Sequence, residues 1–365
     1  MRIIFHYPLP LDPESRSASG IRPLRMLDAF QSLGAQVDLV CGYSAERKAR
    51  ISDIRNNVAR GVRYDFVYSE SSTMPTIMTD PGHLPVRPLL DYSFFRFCNK
   101  QKIPIGLFYR DIYWVFPGYG SGLGWLKRSA AKLAYWYDLW VYNRVLTRLF
   151  LPSRQMGDHV PLVDPGKFAA LPPGHITPSI RPVGDDSYAD DRQLKLFYVG
   201  GMSSHYQLHK LFSVVRNMPG VQLTVCTRVD EWKAVRSEYP ELSSNIRVIH
   251  ESGEAMLREL RASDLAVLWV KPSTYWEFAS PVKLYEYLGY GKPVLASEGT
   301  LAGEFVADHG VGWTIPYEDQ ALSQLLQHLT STGDAWGPVR RNLERVAPMH
   351  SWTSRARQVI EELAE

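Results

Sequence analysis

The chain has 365 residues, 45% of them hydrophobic and 22% charged, which is the composition of a globular protein long enough for two domains. Its 41 basic and 38 acidic residues leave a net charge of +3, too balanced for general nucleic-acid binding. Three widely separated cysteines, Cys41, Cys98 and Cys226, match neither a disulfide frame nor a zinc site and suit a reducing compartment, so a cytoplasmic location is expected.

The apolar run before Pro8 is too short for a signal peptide, and no stretch of about 18 uncharged apolar residues occurs, so no membrane span is expected. Short apolar, β-rich runs alternate with amphipathic segments, the pattern of βα units around parallel sheets. In the first half, strands are expected at residues 3–7, 37–41, 66–69, 104–109, 148–152 and 168–171. Small polar residues from about Asp12 to Gly20 read as a loop before a helix that starts near Ile21. There Ser19 and Gly20 either offer backbone N–H groups to a phosphate or form a plain surface loop. The fourth strand runs into Arg110 and Asp111, a charged pair where an α/β sheet places its chemistry, and then into Tyr113 and Trp114, which either stack on a sugar or pack in the core. Residues 89–100 and 124–150 interleave basic and aromatic side chains. That pattern fits a helix lying on an anionic membrane, and equally a buried helix with snorkelling cations.

From Gly174 to Asp191 the chain is rich in Pro, Gly, Ser and Asp and reads as a linker. A second series of strands is expected at residues 196–199, 223–227, 246–249, 265–270, 294–296 and 313–315. The expected division is therefore a domain over 1–178, a linker over 179–193, a domain over 194–350 and a terminal helix over 351–365. Two Rossmann-like, doubly wound α/β domains bind ligands at the carboxyl ends of their strands, and two facing each other form a central cleft.

Gly200 and Gly201 follow the first strand of the second series, with a helix expected from near Tyr206. Such a turn lets a phosphate or sugar approach the backbone, or is merely tight; the absence of GxGxxG argues against a dinucleotide-binding dehydrogenase. His205 meets a phosphate or sugar, or caps the next helix, and Arg228 holds a diphosphate or is a solvated strand end. The segment SPVKLYEYLGYGKPVLAS from Ser280 to Ser297 reads as a helix with Ser280 as N-cap and Pro281 at its first position. Lys283 in the first turn opposes the helix dipole at a cost of roughly 0.3–1 kcal/mol unless an anion offsets it. That anion is either Glu286, three residues on, or an external group.

Taken together, YVGG, ASDLAVLWVKPS and EFASPVKLYEYLGYGKPVLAS resemble the nucleotide-sugar half of family-4, or "group 1", glycosyltransferases of the GT-B fold. The motif-rich part covers residues 197–297. The resemblance implies an enzyme that moves a sugar from a UDP- or GDP-sugar to a glycan or lipid-linked acceptor, in cell-surface polysaccharide or glycolipid synthesis at the inner face of the plasma membrane. It implies that Glu286 accepts hydrogen bonds from the ribose hydroxyls and that Lys283 stabilises the leaving diphosphate. Ser280, Gly200, Gly201, His205, Arg228 and Gly20 complete the donor set. Glu277 would serve the transferred sugar, although it leaves eight residues before Glu286 and Phe278 stands where the family places its acid. This departure weakens the retaining outcome that the family suggests. Asp111, in a segment resembling the family's Arg-Asp-hydrophobic-Trp, is the expected base in an inverting reaction, or positions the acceptor in a retaining one. The last helix would cross back to the first domain. No DxD-like motif is present, and neither metal nor further cofactor is expected. A nucleotide-sugar epimerase of the same fold and a non-catalytic sugar-nucleotide or carbohydrate-binding protein are the alternatives.

Overall fold

A computed structural model describes residues 1–15, 18–176, 193–202, 206–331 and 335–364. The chain divides into two compact units, Met1–Pro173 with Trp352–Glu365, and Gly174–Ser351. The expected linker lies outside the described residues except for Gln193.

In the first unit β1 (Arg2–Tyr7), β2 (Gln36–Cys41), β3 (Phe66–Glu70), β4 (Ile105–Phe108), β5 (Arg148–Leu151) and β6 (Phe168–Ala170) form one parallel sheet in the order β2-β1-β3-β4-β5-β6. Helices α1 (Ala18–Ser32), α2 (Ser44–Ala59), α3 (Leu90–Lys100) and α4 (Trp125–Val145) lie between the strands in sequence. Strands covered on both faces need apolar side chains at successive positions, which is why β1 and β3 are almost wholly buried. The order reverses between β1 and β3, and this is where a doubly wound sheet opens a crevice at its carboxyl end.

The second unit repeats the plan. Strands β7 (Leu194–Val199), β8 (Val221–Cys226), β9 (Ile246–Ile249), β10 (Leu265–Leu268), β11 (Val294–Ser297) and β12 (Gly312–Ile315) form a parallel sheet ordered β12-β11-β10-β7-β8-β9, so its reversal falls between β7 and β10. Between and after the strands come α5 (His209–Arg216), α6 (Val229–Val235), α7 (Gly253–Ala262), α8 (Thr274–Phe278), α9 (Val282–Gly289), α10 (Leu301–His309), α11 (Asp319–Ser331) and α12 (Trp336–Val346). One core is built around Tyr198, Phe212 and Trp269, another around Phe197, Tyr287 and Leu288.

Each strand read from the sequence is present, with ends moved by at most two residues. Two helix starts differ. α1 begins at Ala18 rather than near Ile21, so Gly20 lies in its first turn, and α5 begins at His209 rather than near Tyr206. The three cysteines are buried free thiols, and burial pushes Cys41 up to about 12. Among the described residues no helix is long and apolar enough to cross a membrane.

The terminal helix α13 (Trp352–Leu363) packs in the first unit, where Trp352, Ala356, Val359 and Leu363 join Phe5, Tyr68 and Phe150 in one core. Arg148 at the foot of β5 pairs with Glu362 at 2.9 Å, and Gln358 donates to the Ala170 carbonyl at 2.7 Å. Gly106 in β4 makes this packing possible, because a Cβ there would lie 2.5 Å from Phe150 and 2.6 Å from Leu363. A Gly106→Ala substitution is therefore expected to destabilise the protein by about 1–3 kcal/mol through overpacking. The urea midpoint measures this; an unchanged midpoint would mean that α13 does not bear on β4.

Candidate functional site

In the second unit the chemistry gathers at the β7–β10 reversal. β7 ends at Val199, whose N–H donates to the Tyr287 hydroxyl at 3.1 Å, and the chain then turns through Gly200 at φ +147°. The Tyr198 hydroxyl donates to the Gly201 carbonyl at 2.6 Å, and the Met202 N–H donates to Glu231 Oε2 at 3.0 Å. Three side chains thus hold the glycine turn. A Cβ on Gly200 would sit 1.9 Å from Lys283 Nζ, so glycine is required both by the backbone angle and by the lysine.

Lys283 comes from α9, which starts differently from the sequence expectation. Pro281 is the N-cap residue, with extended backbone at φ −72° and ψ 131°, and Ser280 does not cap the helix. Its hydroxyl pairs instead with the Tyr285 hydroxyl at 3.1 Å. Lys283 remains in the first turn of α9, where no acidic residue stands. Its ammonium lies 4.2 Å from the centre of the Tyr206 ring and 4.7 Å from that of Tyr198, and donates to the Tyr198 hydroxyl at 3.3 Å. Trp276 of α8 packs edge-on against Tyr206 at 5.1 Å and backs this cage. Ring faces attract a cation but replace water poorly. Burial accordingly pushes Lys283 down to about 8, against the pull of Glu286 and Glu231.

Glu286 is exposed on α9, one turn beyond Lys283. Arg228 does not end β8, which stops at Cys226; it precedes α6, is 72% exposed and lies 3.6 Å from Glu231. Glu277 is exposed on α8, whose Trp276 and Phe278 point inward. His205 lies outside the described residues. At the loop after β9, His250 Nδ1 meets the Thr227 carbonyl at 2.8 Å, while the buried Thr227 hydroxyl has no hydrogen-bond partner. Such an orphan costs on the order of 1–3 kcal/mol unless something binds it.

In the first unit the polar groups gather at the β1–β3 reversal. Glu70, fully buried at the end of β3, is held by Arg22 Nε at 3.2 Å and by Arg110 Nη2 at 3.0 Å, and accepts from the Tyr68 hydroxyl at 2.8 Å. Arg110 also donates from its backbone N–H to Ser71 Oγ at 3.0 Å, which fixes the direction of the chain as it leaves β4. Asp111 follows, accepting from the Tyr113 N–H at 2.9 Å, and burial raises its carboxyl above the usual range. Trp114 is core: its indole donates to the Tyr109 hydroxyl at 2.7 Å and stacks on Tyr135 at 5.0 Å, whereas Tyr113 is 38% exposed. Deeper in the unit, His6 bridges Ser69 at 2.8 Å and Asp91 at 3.0 Å, and Asp91 takes the Arg47 fork at 2.9 Å on each oxygen. Burial pushes Asp91 up, but Arg47 and His6 outweigh it and hold the carboxylate well below its ordinary range.

Sequence reading missed Tyr198, Tyr206, Glu231, Arg22 and Glu70. A signal existed for two of them. Glu70 is the one charged residue of its strand, and Arg22 directly follows the helix start expected near Ile21, although α1 begins at Ala18 and so carries Arg22 in its second turn.

Two doubly wound parallel units with these strand orders define the GT-B fold. No family model matches the chain, and no curated protein does. Among solved structures it is similar to HepE from Anabaena in complex with UDP, with TM-score 0.66, 14% identity and 100% of each chain covered. It is also similar to sucrose-phosphate synthase from Thermosynechococcus elongatus, with TM-score 0.64, 14% identity and 99% of this chain and 98% of that one covered. WaaG, a glycosyltransferase involved in lipopolysaccharide biosynthesis, gives TM-score 0.56 at 16% identity, with 99% of both chains covered. HepE has also been seen with UDP-glucose, and with UDP and glucose.

An anion that binds at Lys283 needs its charged form, which is depleted as pH rises through about 8. Affinity for inorganic sulfate, an oxyanion whose own charge is constant over this range, is therefore expected by calorimetry to fall roughly 30-fold between pH 7 and about pH 9.5, and Lys283→Met to be weak and flat over the same range. A wild-type profile as flat as that of the variant would remove Lys283 from the site.

Proposed function

We propose that the protein is a glycosyltransferase that takes a sugar from a nucleoside-diphosphate sugar, UDP-linked in the first instance, and passes it to a glycan or lipid-linked acceptor. The observation that carries this reading is the Lys283 ammonium, held between two tyrosines beside Gly200 at the reversal of a doubly wound sheet. Burying a cation there, in a helix turn that already repels it, has a physical purpose if a diphosphate comes to meet it. The lysine and the first N–H groups of α9 then stabilise the charge that grows as the sugar leaves. Glu286 accepts from the ribose hydroxyls.

On the acceptor side, Asp111 is the group that handles the nucleophilic hydroxyl. Its raised pKa suits a carboxylate that takes or shares a proton. Asp111→Asn is expected to lower kcat by about 100-fold or more while UDP affinity stays within a factor of about two. The assay is transfer from UDP-glucose, with the released UDP quantified. Full turnover in the variant would leave a binding protein as the better account, and UDP release with no sugar attached to an acceptor would favour an epimerase or hydrolase.

The lipid-linked form of the acceptor is supported by α4. Trp125, Leu126, Leu133, Trp136 and Trp140 are exposed on it together with Lys127, Arg128 and Arg144, and its one acid, Asp138, is buried. Residues 89–100 contribute less than their sequence promises, because Phe94, Phe95 and Cys98 of α3 are buried. An apolar, cation-rimmed face without an exposed acid complements an anionic bilayer. The protein is expected to cosediment with vesicles containing phosphatidylglycerol and not with pure phosphatidylcholine. A triple Trp125→Ser, Leu126→Ser, Leu133→Ser variant is expected to lose most of that binding; equal sedimentation of variant and wild type would refute the membrane reading.

A further inference from the structure

The first unit carries a second positively charged constellation that the donor reading does not use. Two guanidinium groups, Arg22 and Arg110, share the single carboxylate of Glu70, one on each oxygen, at the reversal of the first sheet. Their hydrogen bonds do not account for all their donors. Arg22 gives Nε to Glu70 and Nη2 to the Leu171 carbonyl at 3.3 Å, while its Nη1 is buried without an acceptor. Arg110 gives Nη2 to Glu70 and Nε only a long 3.4 Å bond to the Ser71 carbonyl, and among the described residues its Nη1 has no acceptor either. Glu70 meanwhile accepts from a third donor, the Tyr68 hydroxyl. The Arg22 guanidinium carbon lies 3.4 Å from the centre of the Phe108 ring, and no group of the described residues accepts from the spare donor.

We propose that this cluster is a subsite for an oxyanion, phosphate or carboxylate, and that the acceptor presents such a group to it. Arg110 keeps 12% of its side chain exposed and is the group the ligand touches; Arg22, at 4%, adds a second positive charge behind it. A guanidinium fork suits planar or tetrahedral oxyanions because it offers parallel N–H donors at fixed spacing. Glu70 acts as an internal anion that keeps two buried cations together while the subsite is empty. The other titratable groups in reach are Asp111, engaged by the Tyr113 N–H, and the neutral hydroxyl of Tyr7 at the end of β1, which feels both Arg110 and Glu70. Since Asp111 follows Arg110 directly, an oxyanion on Arg110 places the neighbouring part of the acceptor beside the group that handles its hydroxyl. The assignment to the acceptor rests on the transferase reading; the oxyanion subsite stands on the geometry of the first unit alone.

The test is calorimetric titration of methyl phosphate, and separately of acetate, into protein saturated with UDP so that the Lys283 site is filled. One saturable site is expected for at least one of the two probes, and the tighter probe names the group. Arg110→Gln is expected to weaken that binding at least tenfold, and Arg110→Lys to fall between. Glu70→Gln, which removes the competing carboxylate at constant shape, is expected to tighten it several-fold; a purely structural ion pair predicts no gain. Absence of saturable binding by either probe, or equal binding by wild type and Arg110→Gln with native circular dichroism, overturns the proposal. Should Glu70→Gln fail to fold, the two Arg110 variants decide. If UDP itself does not bind, the transferase reading fails, and the same titrations of the unliganded protein and Arg110→Gln still decide the subsite.

Discussion

The ammonium of Lys283 is the group on which the second unit is arranged. A cation in the first turn of a helix is repelled by the helix, and a cation between aromatic rings has lost much of its water. Both penalties act here, and the surroundings are shaped to accept them. Gly200 has no side chain because the ammonium occupies the place of its Cβ, Tyr198 both faces the cation and secures the glycine turn, and Tyr206 is propped by Trp276. Glu286 and Glu231 are its internal counter-charges, and they offset only part of the cost of its burial.

The first unit solves a related problem differently. There a buried cation of the second turn of α1, Arg22, is given an internal partner, Glu70, which it shares with Arg110. The fold makes both arrangements available in the same way. In each sheet the chain reverses its winding beside its first strand, and the side chains that leave neighbouring strand ends converge where no helix fills the space. The elements around them are rigid. Trp114 stacked on Tyr135, and α13 laid against Phe150 and Gly106, hold the first sheet so that Arg110 and Asp111 leave β4 in a defined direction.

Much of this was legible beforehand. Buried parallel strands are apolar along most of their length, so runs such as IIFHY and LFYV announced themselves. The lysine of the last motif was conspicuous because its sign is wrong for its place. Caps and strand ends were less legible. Ser280 has the residue type of an N-cap, but its hydroxyl has a tyrosine to meet, and Arg228 looked like a strand end although the strand had stopped before it. For Trp114 and the phenylalanines of α3 the sequence left recognition surface and core both open, and only their packing partners distinguish the two.

By itself the sequence determined the class of fold, the two series of strands and the position of the lysine, because periodicity, glycine turns and charge near a helix start are local properties of the chain. Tertiary structure alone decided which groups meet. The tyrosine pair around Lys283, Glu231 on the Met202 amide, and the sharing of Glu70 by arginines 48 residues before it and 40 after it join positions that no local pattern connects. The physical reason is that strand order, not chain order, sets the neighbours at a sheet edge, and strand order emerges only when the strands pair.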